Sequence, residues 1–264
     1  MNIRRPSFID SIPPVVKNLL AINIVLSLAT FVLPGISAKF GFKVDLTDIL
    51  GMHYWESSKF NPAQLLTYAF MHAGFFHILF NMLGVFMFGR ILENLWGPKK
   101  FLIYYLFTAL GAAIVQQLFW TFEYHSVVTA LHGAANSGSI EGLLPFENIL
   151  RQNLGFGDLK AFDSLGLIEL KDMFVNSLIT VGASGSVLGM VLAFGWLFPQ
   201  QTIYIYFFPV KARLAVVIFT IMELSLGVAQ FSFDSIAHFA HLGGMLFGTI
   251  LLLIWRNNHT LYRK

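Results

Sequence analysis

Thr180-Val181-Gly182-Ala183-Ser184-Gly185-Ser186-Val187-Leu188-Gly189-Met190 decides how the chain is read. Gly182-Ala183 predicts a tight turn that feeds a helix beginning at or next to Ser184. Gly185 and Gly189 are four apart and so form a groove of small residues along which another helix can lie close. Ser184 then sits on a helical first turn, where unpaired N–H groups and the positive end of the dipole favour a developing anion. That is the setting an acyl-transfer serine needs. An N-cap serine on a glycine-packed membrane helix fits the same eleven residues.

Composition sets the class. The chain has 264 residues, 56% hydrophobic and 12% charged, with a mean hydropathy of +0.68. A soluble domain carries about 25% charged residues, so the expectation is an all-α polytopic membrane protein. No cysteine is present, which excludes disulfides, thiolate metal sites and a cysteine nucleophile. The basic residues are not pooled in one patch, so the pI near 9.1 is no sign of nucleic acid as a partner.

Six spans are predicted, roughly Asn18–Leu33 ending at Pro34-Gly35, Ala73–Leu92, Phe101–Phe122, Val181–Phe198, Leu214–Val228 and Ile236–Trp255. Several fall short of the roughly 20 residues of a straight crossing. Met1–Lys17 reads as a cytoplasmic lead-in rather than a signal peptide. Ile36–Met71, with Tyr54-Trp55 and Phe60, reads as a loop resting in the interface. Residues 1–264 are read as one membrane domain. Glu123–Leu178, between the third and fourth spans, is a long outer loop or insertion with short amphipathic helices expected in Ile140–Leu150 and Leu165–Phe174.

Charge gives the orientation. Loops on the N-terminal side carry Arg4, Arg5, Lys17, Arg90, Lys99, Lys100, Lys211, Arg213, Arg256, Arg263 and Lys264 against Asp10 and Glu93. The opposite loops carry Lys39, Lys43, Lys59, Arg151, Lys160 and Lys171 against eleven acidic residues. The positive-inside rule places both termini in the cytoplasm, the expected location being a bacterial inner membrane, and puts Glu123–Leu178 outside.

The second, fourth and sixth spans then run in one direction, and their polar residues gather near their outer ends. These are His77 and Asn81, Ser184, and His238 and His241. At ~1.5 Å per residue, His77 and His241 are expected on the order of 10 Å below their helix starts. Polar groups at depth face a water-filled cavity or one another. His77 and Asn81 are four apart and share a helix face. Ala237, His241, Gly244 and Gly248 form a small-residue stripe that brings the sixth span against Gly185 and Gly189 of the fourth, within reach of Ser184. A serine beside a histidine is the minimum for nucleophilic catalysis. No acidic residue lies nearby in these three spans, so the expectation is a dyad without an orienting carboxylate. Glu223, mid-way along the fifth span, reads as a buried, protonated or hydrogen-bonded carboxyl, His238 as structural or interfacial, and His72 as interfacial.

Gly182-Ala183-Ser184-Gly185, His77-Ile78-Leu79-Phe80-Asn81, Ala240-His241-Leu242-Gly243-Gly244 with Gly248, and Glu93-Asn94-Leu95-Trp96-Gly97 resemble the rhomboid family of intramembrane serine proteases. The resemblance implies a six-helix core, Ser184 as nucleophile, and His241 as general base and acid. It further implies His77, Asn81 and the Ser184 backbone N–H as the oxyanion site, transmembrane proteins as substrates, membrane lipids as surroundings, and no cofactor or metal. Two departures stand out. Ala63-Gln64 replaces the Trp-Arg of many relatives, which touches how the first outer loop is anchored. Leu188 replaces the aromatic residue that often stacks on the histidine, which leaves the orientation of His241 to packing or to His238. Three other classes remain: a catalytically silent rhomboid-like binding protein, a metal site built from His77, His238 and His241, and a transporter. The last wants internal repeats, and none is found.

Overall fold

The first helix, α1 (Pro14–Lys39), opens without a side-chain cap of its own, because Pro13 precedes it. Its orphan N–H groups are met from another element. Glu93 is buried, and its two carboxyl oxygens accept from the backbone N–H of Val15 at 2.9 Å and of Val16 at 2.8 Å. A carboxyl group at a helix N-terminus satisfies both the unpaired donors and the dipole. The computed structural model describes residues 11–205, 207–229 and 237–262. Arg4, Arg5, Asp10, Arg263 and Lys264 of the charge argument, and Ile236 at the predicted start of the sixth span, lie outside the described residues.

The architecture is all-α. After α1 come the short α2 (Leu46–Leu50) and α3 (Gln64–Thr67), then α4 (Phe75–Trp96) and α5 (Pro98–Ser137). The helices α6 (Glu147–Leu154) and α7 (Ser164–Ser177) precede α8 (Ser184–Leu197), α9 (Ala212–Ala229) and α10 (His238–Asn257). Among the described residues, five helices are long and apolar enough to cross a membrane: α1, α4, α5, α9 and α10. The apolar α8 is shorter and packs among them. Among the described residues, two small antiparallel ladders interrupt the helices. β1 (Met52–His53) pairs with β2 (Ile179–Thr180), and β3 (Thr202–Ile205) pairs with β4 (Phe208–Lys211) as a hairpin between α8 and α9.

Two helix ends depart furthest from the sequence expectation. Pro34-Gly35 was expected to stop the first span, yet α1 continues through Pro34 to Lys39. A proline costs one hydrogen bond, whereas unwinding in lipid exposes several backbone groups, so the helix persists. The third span was expected to end at Phe122, but α5 runs unbroken to Ser137 and stops at Gly138, whose φ of +70° is left-handed. The insertion therefore begins as a continuation of a membrane helix. Its apolar side, Val127, Val128 and Leu131, packs with Leu143, Leu150, Leu167, Leu170 and Phe174 of the segments that follow. The short amphipathic helices expected there are α6, preceded by a 3₁₀ turn at Glu141–Phe146, and α7.

The loop between α1 and α4 is a packed structure. Tyr54 is buried, and Gln64 is 2% exposed. The Gln64 amide accepts from the N–H groups of His53 (3.3 Å) and Asn61 (3.2 Å) and donates to the carbonyls of Ile49 (3.1 Å) and Lys59 (3.0 Å). The side chain at the departure from Trp-Arg is thus itself the anchor. At the opposite end of the bundle, Trp96 donates to the Leu261 carbonyl (2.9 Å), and the Lys100 ammonium donates to the Thr260 carbonyl and lies 4.4 Å from the Trp255 ring centre.

Glu93→Ala removes both acceptors from the start of α1 and should lower stability by about 2–4 kcal/mol. Glu93→Gln, which keeps one acceptor oxygen, should lose about half as much. Thermal unfolding of the detergent-solubilised protein checks this, and equal melting of all three proteins would contradict the capping role.

Candidate active site

Ser184 is the first residue of α8, and two backbone ties hold the turn before it. The β1–β2 ladder pairs Met52 with Thr180, and the N–H of Gly182 donates to the Tyr68 carbonyl at 2.9 Å. Tyr68 is fixed in turn, because its hydroxyl donates to the Ala109 carbonyl of α5 at 2.8 Å. Gly182 has φ +131°, a region that side chains disfavour, and a Cβ there would stand 2.7 Å from Nε2 of His77. Glycine is required at this position on both counts. It leaves open the space between the His77 ring and the Ser184 hydroxyl.

The small-residue groove is real, and it is tight. A Cβ on Gly244 of α10 would strike the backbone of Gly185 on α8, and one on Gly189 would come within 3.2 Å of the Gly244 carbonyl. Gly248, by contrast, makes room for the Tyr104 hydroxyl, which donates to the Gly189 carbonyl at 2.8 Å. Helices that touch backbone to backbone place the residues flanking the contact within hydrogen-bond reach. His241 lies one turn before Gly244, and Ser184 directly precedes Gly185. Nε2 of His241 is 2.7 Å from Oγ of Ser184.

His77 is the third residue of α4 and His241 the fourth of α10. Both therefore sit in first turns, not on the order of 10 Å below the helix starts. Three helices, α4, α8 and α10, bring their N-terminal ends together around one hydroxyl. The Ala73 N–H lies 3.3 Å from Nδ1 of His77. An N–H beside Nδ1 makes that nitrogen the acceptor and leaves Nε2, which faces Gly182, as the donor. Asn81 is buried one turn further along. Its amide nitrogen donates to the His77 carbonyl at 2.8 Å, its Oδ1 is buried without a partner, and its second N–H has no partner among the described residues. His72 is buried, its ring edge-on to His77 at 5.1 Å. Burial, reinforced by His77, pushes its pKa down to about 4, so the ring is neutral at physiological pH.

The expectation of a histidine without a carboxylate is corrected by α9. Oε2 of Glu223 lies 2.9 Å from Nδ1 of His241 and 2.6 Å from Nδ1 of His238. All three residues are buried. Neither packing nor His238 alone orients His241, because the carboxyl group holds both rings. Among the described residues, Glu223, His238 and His241 are also the one group whose ligand atoms lie close enough, within 4.8 Å of one another, to hold a metal ion. His77 does not belong to it. The sequence signal for Glu223 was its presence as a lone acid in an apolar span, but the span alone does not say which way it faces.

A family model described as the rhomboid domain matches residues 59–152 and 162–258. The chain belongs to the rhomboid family and is an integral, multi-pass membrane protein. The matched segments contain Ser184, His241, His77, Asn81 and Glu223, and much of the region after Phe122 as well. No curated protein matches the chain.

Gly182→Ala should cut labelling of Ser184 by a fluorophosphonate at least roughly tenfold, since the added methyl occupies the space beside His77 where an oxyanion would sit. The fold should persist, as judged by circular dichroism in detergent. Labelling at the wild-type rate would show that this space is not used.

Proposed function

We propose that the protein is an intramembrane serine endopeptidase that cleaves peptide bonds in or beside the transmembrane segments of other membrane proteins. The 2.7 Å contact between Ser184 Oγ and His241 Nε2, at the meeting point of three helix N-termini, carries this reading. A Ser–Oγ attack on the scissile carbonyl carbon sends the hydroxyl proton to Nε2 of His241 and the carbonyl π electrons to oxygen. The oxyanion is met by Nε2–H of His77, by the amide of Asn81 and by the unpaired N–H groups at the start of α8. His241 returns the proton to the leaving nitrogen as the C–N bond breaks. Water, deprotonated by the same imidazole, then releases the acyl group from Ser184.

The serine lies where the chain meets the outer loops, and the charge distribution favours both termini in the cytoplasm of a bacterial inner membrane, with the 123–178 segment outside. A carbonyl inside a helix is wrapped in its own hydrogen bond and is closed to attack. The substrate must therefore unwind near the outer end of its span. Gly or Pro there should raise cleavage, because they cost a helix about 1 and 3 kcal/mol relative to Ala, and a run of Leu should suppress it.

Purified protein incubated with a tagged transmembrane substrate is expected to cleave it, and Ser184→Ala and His241→Ala should each abolish cleavage. The double variant should be no worse than either single one, because the pair acts as a unit. Asn81→Ala should lower turnover by about 10- to 1000-fold with little change in substrate binding. Substantial cleavage by Ser184→Ala would sink the nucleophile, and a silent wild type that still binds the substrate would make the protein a binding relative.

Protease added to intact spheroplasts should cut within residues 123–178 and spare Lys99-Lys100. Cutting confined to inverted vesicles would reverse the orientation.

A further inference from the structure

We propose that Glu223 is a positioning residue for His241, forming with it and Ser184 a carboxylate–imidazole–hydroxyl chain inside the bundle, a role that rests on the serine-protease reading above. The geometry starts from one oxygen. Oε2 of Glu223 is within hydrogen-bond distance of two imidazole Nδ1 atoms, 2.9 Å from His241 and 2.6 Å from His238. A protonated carboxyl has one O–H and can donate to only one of them. An ionised carboxylate accepts from both, which requires each ring to carry its proton on Nδ1. Nε2 of His241 is then unprotonated, and it is the atom that faces the Ser184 hydroxyl. The carboxylate therefore selects the tautomer that can take the serine proton, and it faces the imidazolium formed once the proton is transferred.

His238 completes the arrangement. An ionised carboxyl group inside a membrane protein needs partners, and the Nδ1–H of His238 supplies a second one beside His241. The packing makes room for this. Gly227, one turn after Glu223 on α9, would carry a Cβ 3.1 Å from Cβ of His238 and 3.0 Å from the Phe239 ring. A larger residue there would push α9 off α10 and withdraw the carboxylate. The three charged or polar groups thus depend on a glycine contact, as the Ser184–His241 pair does.

The test uses the full chain in detergent, with fluorophosphonate labelling of Ser184 and cleavage of a tagged transmembrane substrate as readouts. Glu223→Gln should lower kcat and the labelling rate by roughly 10²- to 10⁴-fold, the scale of losing the orienting acid from a serine triad, with KM within about twofold. Glu223→Asp, which keeps the charge on a shorter arm, should recover at least roughly tenfold over Glu223→Gln. Activity of Glu223→Gln within threefold of wild type would overturn the proposal. So would a folded Glu223→Asp no better than Glu223→Gln, since a packing role alone would explain that.

Nitrogen NMR of histidine-labelled wild type keeps the test open even if the variants unfold. His238 and His241 are expected as Nδ1–H tautomers in the resting protein, and a proton on Nε2 of His241 would overturn the assignment. A wild type that neither labels nor cleaves removes the protease reading instead, while the tautomer result reports on Glu223 independently.

Discussion

Everything at the centre of this molecule follows from the contact between the backbones of α8 and α10 at Gly185 and Gly244. With the hydrophobic drive between helices largely absent in lipid, close approach depends on small residues and on hydrogen bonds between helices. The glycines remove the side chains that would hold the two helices apart. Ser184 and His241 meet because each is adjacent to that contact. The Tyr104 hydroxyl, on the Gly189 carbonyl, and the Ser186 hydroxyl, on the Tyr105 carbonyl at 2.9 Å, bind α5 to the same helix. The serine is thus placed by backbone shape, with side-chain hydrogen bonds fastening the frame around it.

At two rings beside Ser184, the groups that touch the far nitrogen set the tautomer. At His77 the Ala73 N–H leaves Nε2 as a donor toward the Gly182 side. At His241 the Glu223 carboxyl leaves Nε2 as an acceptor toward Ser184. Two histidines on either side of one hydroxyl therefore have opposite jobs, fixed by what touches their far nitrogens. The first turn of α8 adds backbone N–H groups that have no helical carbonyl to meet them.

The parts that could be read in the sequence are those that small-residue spacing encodes. Gly185, Gly189 and Gly244 announce a close crossing, and the crossing brings Ser184 to His241. Glu223 could not be placed that way. Its partners are 15 and 18 residues further along the chain, and no periodic pattern marks which face of α9 is turned inward. Gln64 was legible only as a departure from a motif, because its four hydrogen bonds reach backbone groups at positions 49, 53, 59 and 61 that no spacing rule connects. The end of α5 was missed because the continuous apolar run stops at Phe122, whereas the helix stops only at the left-handed Gly138. Pro34 was misread for the converse reason: within lipid, a missing donor costs less than an unwound turn.

The unbroken length of α5 has a structural consequence. Forty residues in one helix measure about 60 Å, roughly twice the hydrocarbon thickness. The half near the Pro98 end carries Tyr104 and Thr108, which grip α8 at Gly189. The far half carries the apolar surface on which α6, α7 and their connecting turns are built. No loop or proline interrupts the rod between the two. One continuous helix therefore joins the segments that follow Gly138 to the contact that α5 makes with the helix bearing the serine.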